Sequence, residues 1–383
     1  MSVADRTHIY NIISFQVIVL FIRQLNIKNF RKFMDLTLTF EGPITIIQAD
    51  NAKGKSSILE SIYLLTTQSS PFTSDLTNLQ NLENNDFFRI EALIENGSED
   101  PEETKEYVLF QQGSTKQLIM DKKRTIRKKF AENIFSTIFS PEHIDLLMVS
   151  PQHRRDFLDN MITYLDPDHG DAITKMKKVL KQRNSYLKKM ADVFYRTRNI
   201  PEDDRQFSYW TDLFCQTSSE VIKRRIDNIE LMNCEDICLV YQPTISLGEF
   251  SDMMDINEIQ RIHSQDLHDS KRKDVALGYT NVGAHRDDWS IDVGKDVRTH
   301  GSRGEKRMAI GRLIFKIQDM YNERYHYYPI LLLDDISSEL DRENTKTIIN
   351  NALKDKQQTI ITAIKLDDIP DEIRDIAQII TLE

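Results

Sequence analysis

Residues 48–57 read Gln-Ala-Asp-Asn-Ala-Lys-Gly-Lys-Ser-Ser. Gly54, Lys55 and Ser56 stand where a phosphate-binding loop of the form G-x-x-x-x-G-K-[ST] ends, but the first glycine of that pattern is Ala49. In such a loop, consecutive backbone N–H groups running into a helix N-terminus present fixed positive dipoles to an anion. Lys55 then reaches the terminal phosphates, and the Ser56 hydroxyl holds Mg²⁺. The candidate contacts run through Ala49, Asp50, Asn51, Ala52, Lys53, Gly54, Lys55 and Ser56. Glycine serves where the chain needs a positive φ or a close approach, and alanine forced into that conformation costs about 1 kcal/mol. Ala49 is therefore expected to be a strained or adapted residue of a functional loop, with weakened nucleotide affinity.

Ile330 to Asp335 is an apolar run ending in two carboxylates, the form of a Walker B strand. Asp334 offers the hard oxygen that Mg²⁺ takes, and Asp335 is placed to accept a proton from an attacking water. Alone, the run also reads as a core strand with two surface aspartates. Gly301-Ser-Arg-Gly-Glu-Lys-Arg307 leads into an apolar helix from Met308 to Ile317, where Ser302 and Gly304 form a second anion cradle. That segment alone also reads as a solvated helix cap. Two cradles in one chain suggest an ATP-binding-cassette arrangement, in which the second caps a γ-phosphate held by another subunit. Ser338-Glu-Leu-Asp341 follows at the offset of that class's D-loop, which adds Asp341 to the nucleotide contacts. Thr362 falls where the class has its switch residue. The usual histidine is absent, which fits a slow hydrolase.

These residues need a scaffold. Leu25–Phe30 and Leu36–Phe40 alternate as half-buried strands, Ile44–Ile47 is a short β-branched strand, and Ile58–Leu65 has helical spacing. The loop thus lies between a strand and a helix, as its chemistry requires. Strand-like pieces occur at 87–94 and 106–110, and an apolar run at 134–139. From Gln152 the apolar spacing turns helical and stays so through Ile229, an insertion of about a hundred residues. Strand character returns at Asp236–Tyr241, Trp289–Val293, Ile330–Leu333 and Thr359–Thr362. The first third of the chain begins the sheet and the last third completes it.

The chain has 383 residues, 40% hydrophobic and 29% charged, with a net charge of −10. Such a surface does not coat nucleic acid as a whole, so DNA binding would rest on local patches. The densest basic run is Lys122, Lys123, Arg124, Arg127, Lys128 and Lys129. A second, with Lys178 and Lys181 at its centre, follows one long helix. Without stacking aromatics between them, these runs imply backbone contacts and no base reading. A charge run is otherwise an ordinary solvated face. The three cysteines, Cys215, Cys234 and Cys238, read as reduced buried thiols and not as a zinc site. The apolar run from Ile9 to Ile22 is too short and polar to span a bilayer. No export signal follows it, which implies a cytoplasmic protein.

With these motifs in place, the chain resembles the RecF family, bacterial DNA replication and repair ATPases related to the SMC proteins. The resemblance is carried by Leu25-x-Ile-x-Asn-Phe-Arg31, Asn51-Ala-x-Gly-Lys-Ser56 and Leu59–Tyr63, then by Phe139–Glu142, Arg154-Arg-x-Phe-Leu-Asp159 and Gln182-Arg-Asn184. Val282-Gly-x-His-Arg-Asp-Asp288, Ser302-Arg-Gly-Glu-x-Arg307 and Leu331–Asp341 complete it. It implies an α/β head of the ABC/SMC ATPase type built from N- and C-terminal segments, with an inserted, mainly α-helical domain. It also implies Arg31 among the nucleotide contacts, ATP and Mg²⁺ as cofactors, and an ATP-dependent homodimer on gapped or junction DNA. RecO and RecR would be partners in loading RecA. The expected divisions are an extension at 1–19, head segments at 20–148 and 271–383, and the helical domain at 149–270. Leu20-Phe-Ile22 resembles the family's start, so residues 1–19 are expected to be spurious or disordered, with translation beginning at Leu20. Phe72 stands where the family has a basic residue. His285, beside Arg286 and two aspartates, fits either a structural network or a nucleotide sensor.

Overall fold

The computed structural model describes residues 18–73, 75–83, 86–96, 104–126, 129–130, 134–140, 147–200, 205–234, 237–248, 254–335, 346 and 357–382. Residues 1–17 of the expected extension at 1–19, Arg127, Lys128, Pro141, Glu142 and the D-loop Ser338–Asp341 lie outside the described residues.

Three strands, β1 (Ile18–Phe30), β2 (Phe33–Thr39) and β3 (Ile44–Gln48), lead into helix α1 (Lys55–Thr67). Strands β4 (Phe88–Asn96), β5 (Lys105–Gln112), β6 (Thr115–Met120), β7 (Lys123–Thr125) and β8 (Ser136–Phe139) follow. The insertion holds α2 (Pro151–Leu165), α3 (Pro167–Thr197), α4 (Arg205–Met232), β9 (Cys238–Gln242) and α5 (Ile256–Leu277). The chain then returns through β10 (Asp288–Asp292), α6 (Val297–His300), α7 (Arg303–Tyr325), β11 (Tyr327–Tyr328) and β12 (Ile330–Leu333). Last come β13 (Thr359–Ala363), α8 (Asp371–Arg374) and β14 (Gln378–Thr381).

The central sheet is parallel, in the order β14-β3-β13-β12-β8. Its β8, β12 and β13 residues are buried throughout, as expected of strands covered on both faces. β3 comes from the first third of the chain, and β12, β13 and β14 from the last. A second, mainly antiparallel sheet runs β11-β1-β4-β5-β6-β7 with β2 beside β1. The two sheets are tied by the Gln358 side-chain amide. Its oxygen accepts the Ile22 N–H at 2.8 Å and its nitrogen donates to the Ile22 carbonyl at 3.0 Å, as a neighbouring strand would.

The inserted helices pack as a bundle around α3, whose 31 residues make a rod about 46 Å long. The expected boundary at 270 falls inside α5, which continues to Leu277 and ends on Gly278 in the left-handed conformation. The helical pattern weakens there because Arg272 and Lys273 turn to solvent. At the other end, Ile18 and Val19, within the expected extension at 1–19, belong to β1 and pair with Tyr327 and Tyr328.

Buried ion pairs knit the inserted helices to one another. Arg225 donates to both Asp159 oxygens at 2.8 Å, and His169 shares the same carboxylate at 2.9 Å. Burial alone would raise the Asp159 carboxyl, but the Arg225 charge and these hydrogen bonds hold it well below the usual range. Arg183 bonds Asp274 at 2.9 Å, and Asn184 accepts from Thr280. Asp287 is reached by the Tyr241 hydroxyl, and by Thr244 through its N–H and hydroxyl. His285 contacts the Thr280 carbonyl at 3.0 Å and packs edge-on against Phe214. Both contacts are those of the structural reading of His285. Breaking one such buried pair from one side costs on the order of 3–5 kcal/mol.

The cysteines depart from expectation. Cys215 is buried, but Cys234 and Cys238 are exposed at the turn before β9 and on its outward face. Among the described residues there is no cluster of three or more potential metal ligands, and no helix is long and apolar enough to cross a membrane.

Candidate functional site

β3 is buried up to Ile47, and the chain leaves its C-terminal end into the loop that starts α1. Gly54 caps α1 with φ +96, and an added Cβ there would lie 2.6 Å from Phe33 Cζ and 2.8 Å from Lys32 Cδ. Gly54 is thus required twice, for its backbone conformation and for the close passage of the β1–β2 turn. Lys55 is buried, and its ammonium donates to the carbonyls of Ala49 at 2.6 Å and Asp50 at 3.0 Å. Asn51, Ala52 and Ser56 are exposed.

The strained alanine of this loop is not the expected one. Ala49 is absent from the residues of positive φ, and its N–H donates to Ala363 O at 3.3 Å in continuation of the β3–β13 ladder. Ala49 therefore carries none of the positive-φ strain expected of it. The left-handed residue is Ala52, at φ +63. This is the position where the sequence fits the family pattern.

Walker B residues converge on the same place. Thr362, fully buried at the end of β13, donates its hydroxyl to Asp334 Oδ1 at 2.6 Å and accepts the Asp335 N–H at 2.9 Å. Asp335 itself has φ +46, the kind of local strain that gathers at functional sites. Thr362 does not line the cleft. Its hydroxyl instead holds the two aspartates, at the position where the class has its switch residue.

A cleft of about 660 Å³ opens between these elements, within the range of small-molecule sites. The loop from Asn51 to Ser57 lines it, as do Asp334 and Asp335, the turn Arg31–Lys32, and the segment from Asn78 to Glu83. Arg31 grips the buried Glu60 with two hydrogen bonds, 2.8 and 2.9 Å, and so holds the turn against α1. Lys32 and the 78–83 segment were not anticipated. Lys32 donates to the Ala52 carbonyl at 3.3 Å, and the Asn81 amide donates to the Arg31 carbonyl at 2.8 Å. Only a fold that lays the turn and this segment over the loop makes them part of a site. The donor set fits a nucleotide with its metal: an ammonium (Lys55), a helix N-terminus, a hydroxyl (Ser56) and a strand-end carboxylate (Asp334).

The second cradle stands apart from this cleft. Ser302 caps α7, accepting the Glu305 N–H at 3.3 Å while the Glu305 carboxylate accepts the Ser302 N–H at 2.7 Å. Hydrogen bonds from Lys295 and Ser302 bring the Glu305 carboxyl down to about 2. Gly304 is exposed, with no atom within 4 Å of where a Cβ would lie. Neither Ser302 nor Gly304 lines the cleft that holds Lys55.

Among the basic groups, Lys122, Lys123 and Arg124 are exposed on the β6–β7 hairpin, and Lys129 is exposed beyond it. Lys178 and Lys181 lie on the solvent side of α3 with Lys175, Lys188 and Lys189. An aromatic does interleave this second group, contrary to expectation: the Lys189 ammonium lies 5.1 Å over the Tyr186 ring.

The family described as RecF/RecN/SMC N terminal domain matches residues 21–379. Proteins named DNA replication and repair protein RecF from Bacillus cereus (strain AH820) and Bacillus anthracis (strain CDC 684 / NRRL 3495) are each 28% identical over 368 residues. These matches cover 92% of this chain and 94% of theirs. A solved structure of the recombination mediator protein RecF-ATP in the RecFOR pathway superposes with a TM-score of 0.81 at 24% identity, covering 92% of this chain and 94% of its own. That of RecF-ATPrS gives 0.80 at 23%, covering 93% and 95%. The shared fold is the ABC/SMC-type ATPase head with its helical insertion. The chain belongs to the RecF/RecN/SMC N-terminal domain family, and it resembles RecF along nearly its whole length.

Proposed function

We propose that this protein is an ATP-dependent DNA-binding protein of DNA replication and repair, acting as an ATP-bridged homodimer. The observation that carries the reading is the single cleft in which Lys55, Ser56 and the Thr362-braced pair Asp334–Asp335 meet. Loop N–H groups and Lys55 bind the phosphates, exchanging the lysine's loop carbonyls for phosphate oxygens. Ser56 and Asp334 hold Mg²⁺, which when bound neutralises charge on the phosphate oxygens. Asp335 accepts the proton of the attacking water, and Thr362 fixes its backbone and the neighbouring carboxylate. Arg31 and Lys32 close the cleft beyond the phosphates.

Ser302 and Gly304, exposed and away from their own chain's cleft, reach the γ-phosphate of a second copy, with Asp341 contributing from the D-loop. Hydrolysis then parts the two heads. Lys122–Arg124 and the α3 lysines hold DNA phosphates at gapped or junction DNA without base reading. The finer role, assisting RecA loading with RecO and RecR in recombinational repair and replication restart, rests on the resemblance to RecF. A non-hydrolysing ATP-gated clamp is the second reading, favoured by the engagement of Thr362 away from the cleft, and single-turnover hydrolysis separates the two. The decisive experiment is sedimentation with and without ATP. Wild type is expected to dimerise with ATP and Lys55→Ala is not; an unchanged ATP response in that variant defeats the mechanism.

A further inference from the structure

One carboxylate joins the helical insertion to the second cradle. Asp288, at the start of β10, accepts from Arg154 of α2 through both oxygens, Nε to Oδ1 at 2.8 Å and Nη2 to Oδ2 at 2.6 Å. The same Oδ2 accepts from Arg298 Nη1 at 2.9 Å. Arg298 lies on α6, the four-residue helix that ends at Gly301, directly before Ser302. Burial would raise the Asp288 carboxyl, but the hydrogen bonds from Arg154, the Trp289 N–H and Arg298 hold it below its ordinary value, so it stays a carboxylate.

Two neighbours of this carboxylate, Arg154 and Trp289, are themselves fixed. The Arg154 carbonyl accepts the indole N–H of Trp289 at 2.8 Å, with Trp289 fully buried. Arg154 Nη1 reaches back to the Val149 carbonyl. In that turn the Met148 sulfur contacts Lys306 Nζ, on the first turn of α7, at 3.1 Å. The connection therefore closes a ring, from α2 through Asp288 and α6 to the start of α7, and back through the 147–149 turn. Gly301 leaves no room for a side chain in it, because a Cβ there would meet the Val297 carbonyl oxygen at 2.4 Å.

We propose that Asp288 is the positioning residue through which the seating of the helical insertion sets the geometry of the Ser302–Gly304 cradle, by way of Arg298. The cradle's grip on a phosphate held by a second copy then depends on the insertion, whereas the chain's own Lys55 cleft does not. Neither Asp288 nor Arg298 lines that cleft. This inference rests on the trans arrangement proposed above.

The test compares wild type, Arg298→Ala, Arg298→Lys and Asp288→Asn in the full chain. ATP binding by the separate chains is read by calorimetry at low protein concentration, ATP-dependent dimerisation by sedimentation velocity, and folding by thermal melting. Asp288→Asn deprives Arg154 of a buried partner and is the variant at risk of unfolding. Arg298 is partly exposed, and its removal leaves the Arg154–Asp288 pair whole. Arg298→Ala is expected to weaken ATP-dependent dimerisation by about tenfold, with ATP binding and melting unchanged and with substantial recovery in Arg298→Lys. Dimerisation of Arg298→Ala equal to wild type overturns the proposal. Wild type that binds ATP yet never dimerises overturns the trans arrangement itself, and this inference with it.

Discussion

The Thr362 hydroxyl donates to Asp334 Oδ1 at 2.6 Å and in the same position accepts the backbone N–H of Asp335 at 2.9 Å. One buried side chain on β13 thus orients both acidic residues at the end of β12, the adjacent strand. A hydroxyl in that place does what neither aspartate can do for itself at an open strand end.

Replacing Thr362 by valine keeps the shape and removes both hydrogen bonds. The loss is about 1–3 kcal/mol for a buried polar group left unmatched. Hydrolysis is expected to fall by about tenfold or more while ATP affinity stays near wild type, and Thr362→Ser should recover turnover. Single-turnover kinetics beside equilibrium binding decides it; equal turnover in the valine variant would show that the brace is irrelevant.

Ala49→Gly is expected to leave nucleotide affinity within about twofold, since Ala49 has no positive φ to relieve. Ala52→Gly removes the left-handed penalty, about 1 kcal/mol, and is expected to raise stability toward denaturant. Gly54→Ala should be the damaging change, because its Cβ has no room beside Phe33. Urea titrations and calorimetric ATP binding give the order, and a gain in affinity from Ala49→Gly would contradict it.

Burial brings the His263 and His285 imidazoles down to about 4 from an ordinary 6.5. Between those values the unfolded chain binds protons that the folded chain excludes. Stability is therefore complete above about pH 6.5 and falls as the pH drops toward 4. His263 alone contributes roughly 3 kcal/mol to that fall. Urea midpoints at pH 7 and pH 5 should differ accordingly, and His263→Gln should flatten the difference. A wild-type midpoint independent of pH across this window is the contrary result.

The exposed hairpin cations give a salt signature. Every cation taken away from a DNA phosphate lowers the slope of log affinity against log salt by about 0.9 on duplex DNA. Substituting Lys122, Lys123 and Arg124 with alanine should therefore flatten the slope and weaken binding equally across sequences. An unchanged slope would place the DNA elsewhere, with the α3 lysines next to be tested.

The head was legible because its signals are local. Gly54-Lys55-Ser56, the apolar strand into Asp334–Asp335 and Ser302 before an apolar helix each carry their chemistry in adjacent residues. Lys32 and the segment from Asn78 to Glu83 were not legible, since nothing in their composition says that they cross a loop some twenty or more residues away. His285, beside Arg286 and two aspartates, looked as suitable for a nucleotide sensor as for a structural network. Its contacts with the Thr280 carbonyl and the Phe214 ring come from the tertiary structure alone.

By itself, then, the sequence determined the order of strand, loop and helix around Lys55, the helical insertion, and the types of group available for phosphate and metal. These follow from periodicity and from backbone conformations that few residues permit. The tertiary structure alone decided which alanine is strained, what Thr362 does, and that Asp288 ties α2 to the residues before Ser302. The reason is physical: φ values, hydrogen-bond partners and burial depend on contacts between segments up to hundreds of residues apart, such as Gln358 with Ile22, and no local pattern encodes those contacts.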